Sequence, residues 1–344
     1  MKNNKDQQDL KQNLSPTLFE QTKVSDAETE VIARPSLNFW QDAWIRLRKN
    51  KGAIIGMILV MITLLFALVG PYMNEYSYKD QNLRHAKLPP KIPVLENIGF
   101  LPFDGKDREG DDMYELKGVD EYYWFGTDDL GRDIWTRTWE GTRISIYIGV
   151  LAAIIDLFIG IAYGGASGYY GGRVDNIMQR FIEILIGIPN LIVVILFIII
   201  FEPGLFTITM AMVITGWTGM ARIVRGQILQ LKNQEFVLAS RTLGASNNRL
   251  IWKHLLPNVL GPIIITTMFT VPAAIFTEAF LSFIGLGIQP PLASLGSLVN
   301  DGFRSLQTYP HMMAFPAIVI SVIILGFNLM ADGLRDALDP KMRK

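Results

Sequence analysis

Three acidic residues, Asp156, Glu183 and Glu278, stand inside or beside long apolar runs. A charge at mid-membrane costs about 2.5–3.5 kcal/mol on insertion scales, so such side chains face protein or water. Two chemistries fit Asp156 and Glu278. One is a translocation path or proton relay, as in a secondary transporter; the other is packing against a polar neighbour, including one across a subunit interface. The second is the expected role. Glu183 follows Arg180 by three residues and is expected at the membrane interface.

Catalytic constellations are missing. The chain contains no G-x-x-x-x-G-K-[ST] phosphate loop, no H-E-x-x-H and no G-x-S-x-G. Gly165-Ala-Ser-Gly168 has the wrong spacing for a nucleophile elbow. With no Cys at all, disulfides, thiolate metal sites and Cys nucleophiles are excluded together. His85, His254 and His311 fall in different regions, two expected outside and one inside, which makes a shared site unexpected. Asp128-Asp-Leu-Gly-Arg-Asp133 resembles a calcium loop only faintly, because the alternation of oxygen ligands before the Gly is missing. No catalytic residue, metal or cofactor bound by this chain is expected.

The elements that position these residues are apolar runs. Half of the residues are hydrophobic and 19% are charged, too little charge for a soluble surface of this size. Net charge is zero, which gives no attraction to a polyanion such as nucleic acid. A helix needs about 20 apolar residues to span a bilayer. The charge-free or nearly charge-free runs place six spans at about 52–74, 144–168, 181–201, 204–222, 259–282 and 312–332. The expected fold class is an all-α integral membrane protein with six transmembrane helices and an extracytoplasmic insertion between the first two.

Lys and Arg in the short connections set orientation. An inside N-terminus puts 16 of them inside, including Arg46, Arg173, Arg225, Arg249 and Lys344, against Arg304 alone in the two short outer connections. Both termini are therefore expected in the cytoplasm. Residues 1–35 are polar and expected to be disordered. A signal peptide is not expected, because the first apolar run begins only near Gly52 and is too long. Leu37, Trp40, Trp44 and Leu47 share one helical face, which predicts an interfacial helix over 36–51 or a plain extension of the first span. Segment 75–140 is soluble in character, with Pro89, Pro90, Pro93 and Pro102 followed by an acidic tract. It predicts loops and short elements braced on the membrane part and on a partner. A short tail is expected over 336–344.

Between the fourth and fifth runs lies a polar insert, 233–257, longer than a simple connection requires. Asn233 is placed to cap a helix whose first turn holds Glu235 and which runs to Leu243. Gly244 suits a left-handed terminator, and Ser246 a cap for a second helix from Asn247 to about Leu255, halted by Pro257. Two short helices about a Gly turn predict a rigid knob.

This insert is similar to the E-A-A-x3-G-x9-I-x-L-P loop of ABC importer permeases. Ala239, Gly244, Leu256 and Pro257 match; Leu238 stands at the Glu, Ser240 at the second Ala and His254 at the Ile. Gly244-Ala245-Ser246 and His254-Leu-Leu-Pro-Asn258 resemble oligopeptide and dipeptide importers in particular. Phe125-Gly126-Thr127-Asp128-Asp-Leu-Gly131-Arg132-Asp133-Ile-Trp-Thr-Arg137 resembles the signature of their C-type permease, with Thr136 in place of the more usual Ser. Gly141–Ser145, Leu281–Gly287 and Gly333–Pro340 also look like that subunit, so the resemblance covers about 36–340.

The resemblance implies one membrane subunit of an ATP-driven peptide importer in a bacterial cell membrane. It implies a heterodimer with a second homologous permease, two cytoplasmic ABC ATPases that carry the ATP and Mg, and an extracytoplasmic substrate-binding protein, all in contact with membrane lipid where they meet it. It implies that the loop around Leu238, Ala239, Ser240, Arg241, Gly244, Ala245, Ser246 and His254 couples to the ATPases. Importers of dipeptides or nickel have similar permeases. The other classes are a secondary transporter using Asp156 or Glu278 and, last, an intramembrane enzyme.

Overall fold

Helices account for the regular structure of this computed structural model, which describes residues 38–98 and 102–338. Among the described residues there is no β-strand, only the isolated bridges Lys91↔Asp104, Lys106↔Asp112 and Thr127↔Asp133. The expected tail 1–35 and most of 336–344 lie outside the described residues. Among the described residues, five helices are long and apolar enough to cross a membrane, or six if one bent pair forms a single span.

Helix α1 is Phe39–Lys49, and from Ala43 onward it belongs to the main compact unit. Leu47 packs there against Ala53 and Ala337, while Trp44 and Ile45 stay exposed. Asn50 then caps α2 (Lys51–Val69), its side-chain oxygen accepting from Ala53 N at 3.1 Å. The apolar run continues to residue 74, but Gly70-Pro71 converts the helix to a 3-10 turn.

The insertion after α2 holds its own small core of Leu88, Tyr114, Val119 and Tyr123. A short α-helix there, α3 (Met113–Lys117), is capped by Asp112 and ended by Gly118 at φ 61°. Tyr114 donates to Pro89 O at 2.8 Å, and Tyr76 stacks on Tyr123 at 4.5 Å. The segment is thus packed rather than loose.

Helix α4 (Ile134–Tyr170) is far longer than the expected span at 144–168. Its first turns carry Trp135, Arg137 and Trp139, which are too polar for lipid but are buried against protein. Asp156–Gly160 inside it is a π-bulge. The expected span 181–201 is two helices, α5 (Gly172–Gly187) and α6 (Asn190–Phe201), bent by 76° where Ile188-Pro189 interrupts the backbone. Helix α7 (Leu205–Leu231) continues nine residues beyond the expected end at 222, carrying Arg225 toward the insert.

The insert forms α8 (Glu235–Thr242) and α9 (247–258), and the chain then re-enters the bundle as α10 (Leu260–Phe283). A helix absent from the sequence reading, α11 (Leu295–Arg304), lies in the connection to α12 (His311–Leu338). Close helix approach is built in where α4 meets α7: a Cβ on Gly164 would stand 2.3 Å from Ala221 O. Small residues at such crossings let membrane helices pack backbone to backbone.

Candidate functional site

The insertion signature, residues 125–137, folds into a clasp at the start of α4. Gly131 sits at φ 72°, and a Cβ there would lie 1.8 Å from Asn82 O, so only Gly fits. Thr127 accepts from Leu88 N at 2.8 Å and donates to the His85 carbonyl. Asp133 caps α4 by accepting from Thr136 N at 2.8 Å, and Asn74 Nδ2 donates to the same oxygen at 2.8 Å. Burial pushes the Asp133 carboxyl up, and these hydrogen bonds pull it back.

Asp128 is the hub. Its Oδ1 accepts from Leu130 N and Arg132 N, and its Oδ2 pairs with Arg132 Nε at 2.6 Å and faces Arg137 Nε at 3.5 Å. Arg137 reaches on to Asp301 of α11 at 4.0 Å. Both Asp128 oxygens are thus engaged by protein donors. Phe125, at the start of the clasp, stacks on Phe315 at 3.9 Å. Most of the polar groups named here are spent on neighbouring protein, while Asp133 Oδ1, Arg137 Nε and Arg137 Nη1 are buried without a hydrogen bond. A nearby cleft of about 740 Å³ runs between Pro89, Phe103, Arg108 and the start of α12 at Phe315 and Ile318. Three carboxylates at Asp107, Glu109 and Asp111 converge nearby, but Asp107 already accepts from the Glu109 and Asp111 backbones.

Within the bundle, Asp156 is buried at the π-bulge of α4 and accepts from Thr270 Oγ1 of α10 at 2.6 Å. That bond joins α4 to α10. Glu278 is fully buried and accepts from Ser145 Oγ at 3.2 Å and Ser282 Oγ at 2.6 Å. Both side chains are hydrogen-bonded to a neighbouring helix. Glu183 pairs with Arg180 at 2.7 Å on an exposed face. His85 Nδ1 lies 2.7 Å from Tyr123 OH, His311 sits against Gly126, and His254 belongs to the knob.

The knob departs from its expected form at three points. Asn233 lies in a turn, Gln234 takes the cap position without a side-chain bond, and α8 stops at Thr242. Gly244 does adopt φ 83°, and Ala245 N donates to Ser240 O (3.1 Å) while Gly244 N donates to Arg241 O (3.0 Å). That pair of bonds is a Schellman ending. Ser246 caps α9, accepting from Arg249 N at 3.4 Å. Pro257 does not halt α9; the break comes at Val259, after a π-bulge over Leu250–Leu255.

One side of the knob is bolted down. Val237, Leu250, Leu255 and Leu256 join Tyr169 of α4, Val224 and Ile228 of α7 and Ile263 of α10 in a single apolar cluster. Tyr169 OH donates to Asn247 Oδ1 at 2.6 Å. Beneath it, Arg225 holds Asp175 with two bonds of 2.5 and 2.6 Å, and Ser167 donates to the same carboxylate at 2.6 Å. Sequence reasoning missed this Asp175–Arg225 pair, whose only signal was opposite charges at the polar ends of two runs. The other side is open: Leu243 is 88% exposed, Trp252 62% and Leu238 45%, beside exposed Arg241 and Arg249.

Helices throughout the described residues, with five to six candidate spans among them, define an all-α multi-pass membrane protein. The chain belongs to the family of binding-protein-dependent transport system inner membrane components, whose family model matches residues 156–344. The model of the N-terminal TM domain of oligopeptide transport permease C matches residues 38–90. The oligopeptide transport system permease protein OppC of Bacillus subtilis is 49% identical over 97% of this chain and 100% of its own length. The dipeptide transport system permease protein DppC of the same organism is 47% identical over 95% of this chain and 93% of its own. Among solved structures, the MetNI methionine ABC transporter in inward-facing conformations aligns over 59% of this chain and 94% of that chain, at 17% identity and a TM-score of 0.47. The two Bacillus subtilis relatives are described as transport system permease proteins.

Proposed function

We propose that this chain is one membrane-spanning subunit of an ATP-driven oligopeptide importer. It forms half of a translocation path of the six-helix type I permease kind, with a second homologous permease as the other half. Two ABC ATPases bind and hydrolyse ATP with Mg; this chain binds neither. An extracytoplasmic binding protein delivers the peptide, and both termini of this chain lie in the cytoplasm with the knob. The oligopeptide and dipeptide permease relatives support the substrate class.

One observation carries the reading: the knob is anchored on one side and open on the other. The apolar cluster ties α8 and α9 to α4, α7 and α10, while Leu238, Leu243 and Trp252 face away. A push on that open face reaches three spans at once, and rigid-body switching of spans needs a stiff contact rather than a reactive group. Leu238, Ala239, Ser240, Arg241, Gly244, Ala245, Ser246, His254, Leu256 and Pro257 form the coupling element. The clasp at 125–137 holds the external insertion in shape, and that insertion meets the binding protein or the second permease.

Gly244→Val tests the coupling element. A β-branched residue at φ 83° is strained, although no neighbour stands within 4 Å of its Cβ. Peptide uptake is expected to fall at least tenfold while the chain still inserts. Normal uptake with normal assembly refutes this account of the knob.

A further inference from the structure

Glu278 has no cation beside it; its neighbours are hydroxyls. Each hydroxyl oxygen in turn faces a backbone N–H of the return segment that follows α10. Leu295 N donates to Ser145 Oγ at 3.4 Å, and Ser145 donates to Glu278 Oε2. Ile288 N donates to Ser282 Oγ at 3.4 Å, and Ser282 donates to Glu278 Oε1. Ser297 N donates to Ser294 Oγ at 3.2 Å, and Ser294 donates to Ser282 Oγ at 3.1 Å. Three backbone donors therefore feed three serines, and every proton in the relay points toward one carboxylate.

The donors come from a particular place. Leu295 and Ser297 are in the first turn of α11, whose free N–H groups and dipole favour negative charge. Ser294 and Ser297 form a reciprocal capping box there. The backbones are also in contact: a Cβ on Gly296 would lie 2.4 Å from Ala279 Cα, one residue from Glu278. Ser145, Ser282, Ser294 and Glu278 are each 3% exposed or less. A buried acceptor of this kind bonds strongly to hydroxyl donors, and an amide placed there would turn an N–H toward them.

We propose that Glu278 is a positioning residue for transport: through the three serines its carboxylate holds the return segment 284–304 on α4 and α10, so that this part of the external mouth moves with those spans as one body. The proposal rests on the importer reading for its orientation and its role in transport. The relay itself joins α4, α10 and α11 whatever the substrate.

The absence of Cys makes a direct test available. Ile288 is 4% exposed and packs on Ile148 and Ile208, so an Ile288→Cys reporter is shielded while the segment is held. The assembled transporter in proteoliposomes is treated with a membrane-impermeant maleimide, and labelling of this chain is timed. Glu278→Gln is expected to speed labelling roughly tenfold, the scale set by losing one or two buried hydrogen bonds. Glu278→Ala should match it, whereas a space-filling role for Glu278 predicts parental labelling in the Gln variant. Ser145→Ala is the milder second variant, expected to speed labelling several-fold and to add little to Glu278→Gln. Parental labelling in both Glu278→Gln and Ser145→Ala overturns the proposal. Peptide uptake by the parent complex, measured separately, reports on the importer reading, so the two failures are distinguishable.

Discussion

The clasp at 125–137 and the knob at 235–258 both carry the motif residues of this chain, yet they are built in opposite ways. In the clasp, Thr127, Asp128, Arg132, Asp133 and Arg137 are buried and tied to one another or to adjoining backbone. In the knob, Ala239, Arg241, Gly244 and Ser246 are exposed, and the buried side chains are apolar ones between them. A motif whose polar groups are buried and turned on one another sets architecture. A motif that buries its apolar residues toward the bundle and leaves its outer face open sets up a contact.

Disrupting each region should therefore do different things. Asp128→Ala leaves Arg132 and Arg137 buried without their shared partner, and removing one member of a buried pair costs about 3–5 kcal/mol. The expected result is a strongly lowered thermal midpoint in detergent; an unchanged midpoint would show that the clasp is not structural. At the base of the knob, Tyr169→Phe removes the bond to Asn247 at a cost of about 1 kcal/mol. Uptake should fall several-fold with the chain still inserted, and a parental rate would separate that bond from coupling.

A pH ramp sharpens the contrast from the insertion side. Burial, then the charges of Glu121 and Asp133, push the Tyr76 phenol up from 10.0 to about 12. A raised acid contributes stability below its unfolded value that is lost as pH rises through its folded value. The insertion should therefore loosen between pH 10 and 12, with protease cuts appearing there together with tyrosinate absorbance. Cuts appearing first in the knob would reverse the comparison. The smallest stability effect belongs to Leu243→Asp at the 88% exposed tip, expected within about 0.5 kcal/mol of the parent. A large drop would mean that the tip is not free.

Much of this was legible in the chain itself, for local reasons. Gly244 and Ser246 announce their conformations through backbone chemistry that depends on neighbours a few residues away. The apolar runs locate the spans because lipid imposes a length. Three things stayed hidden because they depend on distant partners. The early turns of α4 look too polar for a long helix until the insertion covers Trp135 and Arg137. The pairing of Asp175 with Arg225 joins residues 50 positions apart. Helix α11 is ten residues long, and its amphipathic face has meaning only once α4, α10 and α12 surround it. Asn233 failed as a cap because the chain was still turning out of α7 when it passed that residue.

The central claim is that the open face of the knob receives the ATPase. A Leu243→Cys variant introduces a single thiol into this Cys-free chain at that tip. With a short thiol-directed cross-linker in the assembled, transporting complex, the account predicts an adduct between this chain and a cytoplasmic ATPase subunit. An adduct with the external binding protein, or none in a complex that still imports peptide, would contradict it.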